Sequence, residues 1–194
     1  MHVATGAAPK LTVATCTSFL QNALAGHHNP QFAMWLAITL FHQNPRNVTM
    51  DPFMQAAIEE AEQGLAEGGI PIGSVLVHNG KIIGRGHNRR VQKGSTTLHG
   101  EMDALENAGR QPARIYRECT IYTTLSPCSM CSGAILLYGI PRVIVGENRS
   151  FMGEEAHLRS RGVEVTVVDD ARCVELMRGF MVAKPELWNE DIGE

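Results

Sequence analysis

The chain has 194 residues, of which 44% are apolar and 19% are charged, and its formal net charge is −3. This composition is ordinary for a globular protein with a hydrophobic core, and the length suggests one domain with an appendage. The longest apolar run spans residues 32–41 and is interrupted by Thr39. Because about 20 apolar residues are needed to cross a bilayer, we predict no membrane span.

The charge is unevenly distributed along the chain. Residues 1–50 contain no Asp or Glu and only Lys10 and Arg46, so they carry +2 and residues 51–194 carry −5. Nucleic-acid binders usually present a basic patch, so this balance argues against long RNA or DNA as a substrate. The five cysteines are an odd number with one C-x-x-C pair, a pattern that fits a reducing compartment better than a disulfide framework. We therefore expect a cytoplasmic protein, with a nuclear pool as a further option.

Residues 1–50 differ in kind from the rest and define a domain boundary. They show no sustained helix or strand period, and we expect them to be an N-terminal extension, disordered or incidental, before a catalytic domain over 51–194. A transit peptide would also lack acids but would be rich in Arg, which this segment is not. Organelle targeting is therefore the less favoured alternative.

The predicted elements begin at Asp51-Pro52, an N-cap followed by proline at the first helical position. Apolar residues at helical spacing follow, and Gly68-Gly69 ends this helix. Residues 74–77 and 81–84 are predicted strands joined by an Asn79-Gly80 turn, and residues 85–94 a polar loop.

The second half alternates helices and strands. The predicted elements are a helix over 98–108, a strand over 120–125, a helix over 128–138, strands over 142–145 and 163–168, a helix over 171–182, and a tail from Pro185 to Glu194. Alternation after an opening hairpin predicts an α/β fold, a three-layer α/β/α architecture with a mixed central sheet flanked by helices.

Two short motifs indicate a metal site. His99 is followed two residues later by Glu101, and Cys128 and Cys131 form a C-x-x-C pair directly after Pro127. The pattern H-x-E…P-C-x-x-C is the signature of zinc-dependent base deaminases. One His and two Cys provide three protein ligands and leave the fourth tetrahedral position open, which separates a catalytic zinc from a structural one. A C-x-x-C pair alone would also suit a redox site or half of a zinc finger, but no second pair follows.

The spacing suggests how these residues work. Cys128 and Cys131 at the start of a helix place both sulfurs on one side, and the helix dipole favours their thiolate forms. Zinc lowers the pKa of a bound water towards neutrality, and Glu101 is predicted to carry protons between that water and the substrate. The alternative for Glu101 is an exposed helix carboxylate.

Over residues 51–194 the chain also resembles the fungal cytosine deaminases, within the zinc-dependent cytidine-deaminase superfamily. The motifs that carry the resemblance are Glu67-Gly68-Gly69-Ile70-Pro71-Ile72-Gly73, Gly84-Arg85-Gly86-His87-Asn88, Leu98-His99-Gly100-Glu101, Thr123-Thr124-Leu125-Ser126-Pro127-Cys128, Tyr138-Gly139-Ile140-Pro141-Arg142, Gly146-Glu147-Asn148 and Trp188-Asn189-Glu190-Asp191-Ile192-Gly193-Glu194. The zinc motif alone indicates only the superfamily, whereas the C-terminal segment and the Gly after His99 indicate the subfamily.

The resemblance implies a set of site residues. The zinc ligands would be His99, Cys128 and Cys131, with one Zn²⁺ per subunit, and Glu101 would be the catalytic proton shuttle. The expected substrate-binding residues are Ile72, Asn88, Gly100, Leu125, Ser126, Phe151, Trp188 and Asp191. Asn88 would hydrogen-bond the pyrimidine and Asp191 would accept from its exocyclic amine, a pairing that suits cytosine. From the sequence alone, Phe151 and Trp188 could also be core or interface residues, and Asp191 a solvated tail residue.

The function implied is hydrolytic deamination of cytosine to uracil and ammonia in pyrimidine salvage, with 5-fluorocytosine also accepted. The enzyme would be a homodimer that acts on a small molecule and binds neither nucleic acid nor membrane. A tail that closes over the base would exclude a ribose. One alternative is a tRNA adenosine deaminase, although those proteins typically have Ala at the position of Gly100 and no such tail. Another is a catalytically silent zinc-binding module, which would have no use for Glu101.

Overall fold

The computed structural model describes residues 51–194, and the predicted extension over 1–50 lies outside them. The elements in chain order are helix α1 (Pro52–Ala66), strands β1 (Gly73–His78) and β2 (Lys81–His87), helices α2 (Arg90–Lys93), α3 (Gly100–Asn107) and α4 (Ala113–Tyr116), strand β3 (Cys119–Leu125), helix α5 (Ser129–Tyr138), strand β4 (Arg142–Glu147), helix α6 (Glu155–Ser160), strand β5 (Glu164–Val167), and helices α7 (Ala171–Ala183) and α8 (Pro185–Ile192).

The five strands form one mixed sheet in the order β2-β1-β3-β4-β5. Strand β1 pairs antiparallel with both β2 and β3, whereas β3, β4 and β5 are parallel. The predicted hairpin turn lies between β1 and β2, and both of its residues, Asn79 and Gly80, have positive φ. Paired positive φ angles match the twist of the two strands, which is why Asn-Gly is favoured there.

Helices cover both faces of the sheet, which confirms the predicted α/β/α architecture. Alternate strand residues point to opposite faces. On one face Val75, Val77 and Tyr122 pack with residues of α1 and α7 in one buried cluster. On the other face Leu76 and Ile121 pack with residues of α3, α5 and α6 in a second buried cluster.

The predicted loop over 85–94 is wrong in part, because β2 continues to His87 and α2 follows it. Gly84 and Gly86 weaken the strand signal in the sequence, since glycine is disfavoured in strands. In the structure they are required, because a Cβ at either position would overlap the backbone of Ala104 in α3. Glycine here allows a helix to lie directly on the strand.

The C-terminal tail is also different from the prediction, because it forms helix α8. Pro185 occupies the first helical turn and Gly193 ends the helix with φ +81°. Trp188 is buried at helical spacing from the half-buried Ile192. Helices α4 and α6 fall where no element was predicted, since four and six residues are too short to show a helical period.

Among residues 51–194 no helix is long and apolar enough to cross a membrane.

We expect the close approach of α3 to β2 to make Gly86→Ala destabilising by about 1–3 kcal/mol, because the new Cβ has no space against backbone atoms. Gly179→Ala is the matched control, since Gly179 lies in α7 and a Cβ there meets open space. Alanine there should leave the free energy of unfolding unchanged or raise it by up to about 1 kcal/mol. Denaturant unfolding of both variants checks this, and equal stabilities would contradict it.

Candidate metal centre and active site

One edge of the sheet gathers the segments that carry the predicted site. Strands β2 and β3 run in the same direction, because both are antiparallel to β1, and β4 is parallel to β3. The carboxyl ends of these three strands therefore meet at the edge where β1 begins. This places Ile72 before β1, Asn88 after β2, Ser126 after β3 and the segment 148–154 after β4 around one space.

Two helices begin at this edge and bring the three predicted metal ligands together. His99 is the N-cap of α3, Cys128 is the N-cap of α5, and Cys131 lies in the first turn of α5. Their ligand atoms all lie within 4.8 Å of one another. The Cys128 Sγ and His99 Nδ1 atoms are 3.5 Å apart. Zinc bonds of about 2.0–2.3 Å in tetrahedral geometry separate such atoms by about 3.5 Å, so the site fits zinc.

The surroundings of the two cysteines favour the thiolate form at Cys128 and disfavour it at Cys131. A hydrogen bond from Cys131, with a second from His99, lowers the pKa of Cys128 to about 4 although burial opposes this. The same hydrogen bond, together with burial, raises the pKa of Cys131 well above its ordinary value. A metal that binds both sulfurs therefore competes with a proton at Cys131.

Glu101 lies beside these ligands in the first turn of α3 and is 3% exposed. Burial and the charge of Cys128 raise the pKa of Glu101, while the charge of His99 lowers it. The Thr123 hydroxyl donates to Glu101 Oε1 at 3.2 Å, which orients the carboxylate beside the metal ligands. A carboxyl whose pKa is raised towards neutrality is suited to act as both acid and base.

His99, Cys128 and Glu101 line a cavity of about 380 Å³. This volume is within the usual range of small-molecule sites. Six of the predicted substrate-binding residues line the cavity, and they include both apolar and polar side chains. These are Ile72, Leu125, Ser126, Phe151, Trp188 and Asp191. Phe151 and Trp188 meet edge to face, with ring centroids 6.2 Å apart. They form an apolar wall suited to a flat ring.

Asp191 is held in place by a network that reaches from α8 to the end of β2. Asn88 Nδ2 donates to Asp191 Oδ1 at 3.0 Å and to Oδ2 at 3.2 Å. Arg90 Nη1 donates to Asp191 Oδ1 at 2.8 Å, and this hydrogen bond raises the pKa of the guanidinium. His99 Nε2 lies 3.7 Å from the same oxygen. Oδ1 is thus fully engaged, and Oδ2 retains a lone pair for a ligand.

Two predicted substrate contacts lie behind the cavity wall. Asn88 is completely buried, and its side chain is bonded to Asp191 and to the backbone N–H of Arg90. Gly100 is buried under the cavity, and a Cβ there would press on the Ile72 carbonyl oxygen at 2.9 Å. Direct substrate contact by Asn88 or Gly100 stays a prediction.

Sequence reasoning missed Arg90 as a residue of this site. It was placed in a polar loop, although its side chain is only 12% exposed, lines the cavity and pairs with both Asp191 and Glu190. No local pattern indicates a partner 101 residues away. Thr96, Met130 and Ile192 also line the cavity and were not predicted.

We expect zinc binding to release protons and to weaken as pH falls. The pKa of Cys131 and that of His99 are both raised in the metal-free site, so zinc competes with protons for these two ligands. Calorimetry at pH 7 in buffers of different ionisation heat should show about one zinc ion bound per chain. Each bound ion should release about one to two protons. Cys131→Ser should lower both the affinity and the proton release. The same release in Cys131→Ser and the unchanged chain would contradict the assignment.

The chain is similar to several known deaminases. Residues 48–147 match the family model described as the cytidine and deoxycytidylate deaminase zinc-binding region. A cytosine deaminase of Candida albicans is 56% identical over 142 residues, which cover 73% of this chain and 95% of that protein. A tRNA-specific adenosine deaminase of Streptococcus pyogenes is 45% identical over 107 residues, 54% of this chain and 67% of that protein. A solved structure from a study of tRNA:A34 deaminases has a TM-score of 0.56 at 27% identity, covering 64% of this chain and 97% of that chain. The chain belongs to the cytidine and deoxycytidylate deaminase family, whose zinc-binding region contains His99, Glu101, Cys128 and Cys131 in this sequence.

Proposed function

We propose that this chain is a zinc-dependent hydrolase that converts cytosine and water to uracil and ammonia, a step of pyrimidine salvage. The observation that carries the proposal is the juxtaposition, in one cavity, of a three-ligand metal site, the buried carboxyl of Glu101 and the α8 residues Trp188 and Asp191. The relative that is 56% identical and named a cytosine deaminase supports the same substrate.

Glu101 performs the proton transfers in this proposal. His99, Cys128 and Cys131 would hold zinc, which would make a water molecule nucleophilic at neutral pH. Glu101 takes one proton of the attacking water and gives it to N3 of the ring. It then takes the second proton of that water and gives it to the departing amine, so that ammonia leaves and the carbonyl of uracil forms. Burial raises the pKa of this carboxyl, which favours proton transfer in both directions.

Asp191 and the aromatic wall select the base. The free lone pair of Asp191 Oδ2 accepts a hydrogen bond from the exocyclic amine of cytosine. Phe151 and Trp188 flank the ring, while Ile72 and Leu125 complete the apolar surface. Because Trp188 and Asp191 of α8 line the cavity, we expect α8 to close over the bound base and to exclude a ribose. 5-Fluorocytosine differs from cytosine by one small substituent, so it should be accepted.

A tRNA adenosine deaminase is the second candidate, since a relative of that name is 45% identical. The net charge of −5 over residues 51–194 is unfavourable for a polyanionic substrate. In addition, Arg90 ties Glu190 and Asp191 of α8 to the cavity, so we expect α8 to hinder the entry of a base that is part of a polymer.

We expect Glu101→Gln to lower kcat for cytosine by about 10²- to 10⁴-fold with zinc retained, because the variant keeps the shape and loses the proton carrier. Glu106→Gln is the matched control, since Glu106 is exposed on the same helix. Ammonia release and zinc content are measured together for both variants. Equal activity of Glu101→Gln and Glu106→Gln would rule out the proton-shuttle role.

The same assay compares cytosine, 5-fluorocytosine, cytidine and an adenosine-containing tRNA anticodon stem-loop as substrates. Turnover of the two free bases alone supports the proposal. Turnover of cytidine would contradict closure by α8, and inosine formation in the stem-loop would favour the tRNA-directed alternative. Release of ammonia from none of them would leave a zinc-binding module.

We also propose that the protein is a homodimer that associates through the C-terminal half of α5. Leu137 is 79% exposed and Tyr138 is 40% exposed, so α5 presents an apolar surface next to its buried face. Tyr138 stacks on the buried Tyr116 of α4 with ring centroids 4.7 Å apart, which holds the Tyr138 ring in place at this surface. Exposed apolar surface of this kind marks protein interfaces.

We expect Leu137→Glu to convert the dimer to a monomer, because a buried charge without a partner is strongly unfavourable. Val182→Glu is the matched control, since Val182 is 80% exposed on α7 and lies outside the proposed interface. Light scattering after gel filtration gives the mass of each variant. The proposed interface would be contradicted if the protein without substitutions is a monomer, or if only Val182→Glu dissociates the dimer.

A further inference from the structure

We propose that Glu155 is a positioning residue that holds the Phe151 wall of the cavity against the segment leading into the zinc ligand Cys128. Only the identity of the substrate in this proposal rests on the proposed function. Glu155 does not line the cavity, so it acts through other residues.

The segment 148–154, which carries Phe151, is anchored at its beginning by a buried glutamate. Glu147 is completely buried at the end of β4, and its Oε2 accepts from the backbone N–H groups of Arg149 at 2.7 Å and Ser150 at 3.0 Å. These bonds fix the turn that leads to Phe151.

Glu155 anchors the other end of this segment. It is 3% exposed, and its Oε1 accepts from Ser126 Oγ at 2.9 Å and from Asn148 Nδ2 at 3.0 Å. Its Oε2 accepts from Arg159 Nη1 at 3.2 Å. One carboxylate oxygen therefore ties together residues from the ends of two neighbouring strands.

A second set of hydrogen bonds joins the segment 148–154 to the end of β3, and here backbone N–H groups of that segment are the donors. The backbone N–H of Gly153 donates to Ser126 Oγ at 3.1 Å, and that of Glu154 donates to the Pro127 carbonyl at 2.9 Å. A Cβ on Gly153 would overlap the Pro127 carbonyl, so the backbones lie in direct contact. Ser126 and Pro127 directly precede Cys128, so the aromatic loop and the metal-binding segment form one hydrogen-bonded unit.

This arrangement explains why a carboxylate is buried at Glu155. A buried charge is unfavourable unless its oxygens are paired. Here both bonds to Oε1 support the loop and the strand end, and Arg159 of the same helix pairs Oε2. Without the Glu155 carboxylate, Ser126 Oγ and Asn148 lose their common acceptor. Phe151 is then free to move away from Trp188, and the wall against the substrate is lost.

The test compares Glu155→Ala, Glu155→Gln and Arg159→Ala in the full chain. Glutamine keeps an acceptor oxygen for Ser126 and Asn148, whereas alanine removes it. Arg159→Ala removes the partner of Oε2 and leaves the Oε1 bonds intact. We expect Glu155→Ala to raise KM for cytosine by about tenfold and to change kcat by less than about threefold. Glu155→Gln and Arg159→Ala should stay within about twofold of the unchanged chain in both constants.

A second measurement does not depend on activity. In a Trp35→Phe background the only tryptophan left is Trp188. Trp188 is 7% exposed beside Phe151, so acrylamide should quench its fluorescence weakly. We expect Glu155→Ala to increase quenching and Glu155→Gln to leave it unchanged. If the unchanged chain does not deaminate cytosine, the proposed function fails, and quenching alone then decides the role of Glu155.

Two results would overturn the proposal. The first is a folded Glu155→Ala with unchanged KM and unchanged quenching. The second is an equal loss of kcat and of zinc in Glu155→Ala and Glu155→Gln, which indicates a general structural role.

If Glu155→Ala does not fold, Asn148→Ala decides, because it removes one donor to Oε1. A KM increase of about two- to fivefold supports the proposal, and an unchanged KM overturns it.

Discussion

The site depends on holding three ligand atoms within bonding distance of one ion although they come from different helices. His99 and Cys128 are 29 residues apart, and their ligand atoms approach to 3.5 Å only because α3 and α5 begin at the same edge of the sheet. The parallel pairing of β3 with β4 and the direction of β2 create that edge. Gly84 and Gly86 let α3 lie directly on β2, so packing of the helix fixes the position of its first residue. The chemistry at the ion is thus a consequence of how closely one helix approaches one strand.

Two sets of charged residues surround this centre, Glu101 next to the ligands and Asp191 with its partners farther out. Glu101 is buried with a raised pKa, which suits proton transfer next to a cation. The side chain of Asp191 is 3% exposed, and its charge is balanced by Arg90, whose guanidinium also binds Glu190. Ion pairs of this kind add little net stability once desolvation is counted, but they fix geometry. In this chain they fix the end of α8 over the cavity, which links substrate selection to the position of the C-terminal helix.

Much of the fold could be predicted because its signals are local. Asp51-Pro52 starts α1, Asn79-Gly80 forms the hairpin turn, and the alternation of strands and helices gives three layers. The failures also have local causes. The predicted strand is shorter than β2 because Gly84 and Gly86 disfavour strands in isolation, and their packing partner is not a sequence neighbour. The predicted tail is helix α8, which Pro185, the spacing of Trp188 and Ile192, and Gly193 together indicate.

The sequence by itself determined the family, and it predicted the metal ligands and the proton carrier. It could do so because their spacing is short, with two residues from His99 to Glu101 and three from Cys128 to Cys131. Tertiary structure alone decided which residues support them. Arg90 pairs with Asp191 across 101 residues, and Ser126 bonds to Glu155 across 29. These partners carry no periodic or motif signal, because each pair is selected by where strand ends and helices meet in space. The position of a residue along the chain does not give its distance in space from another element, because that distance is set only when the sheet has formed.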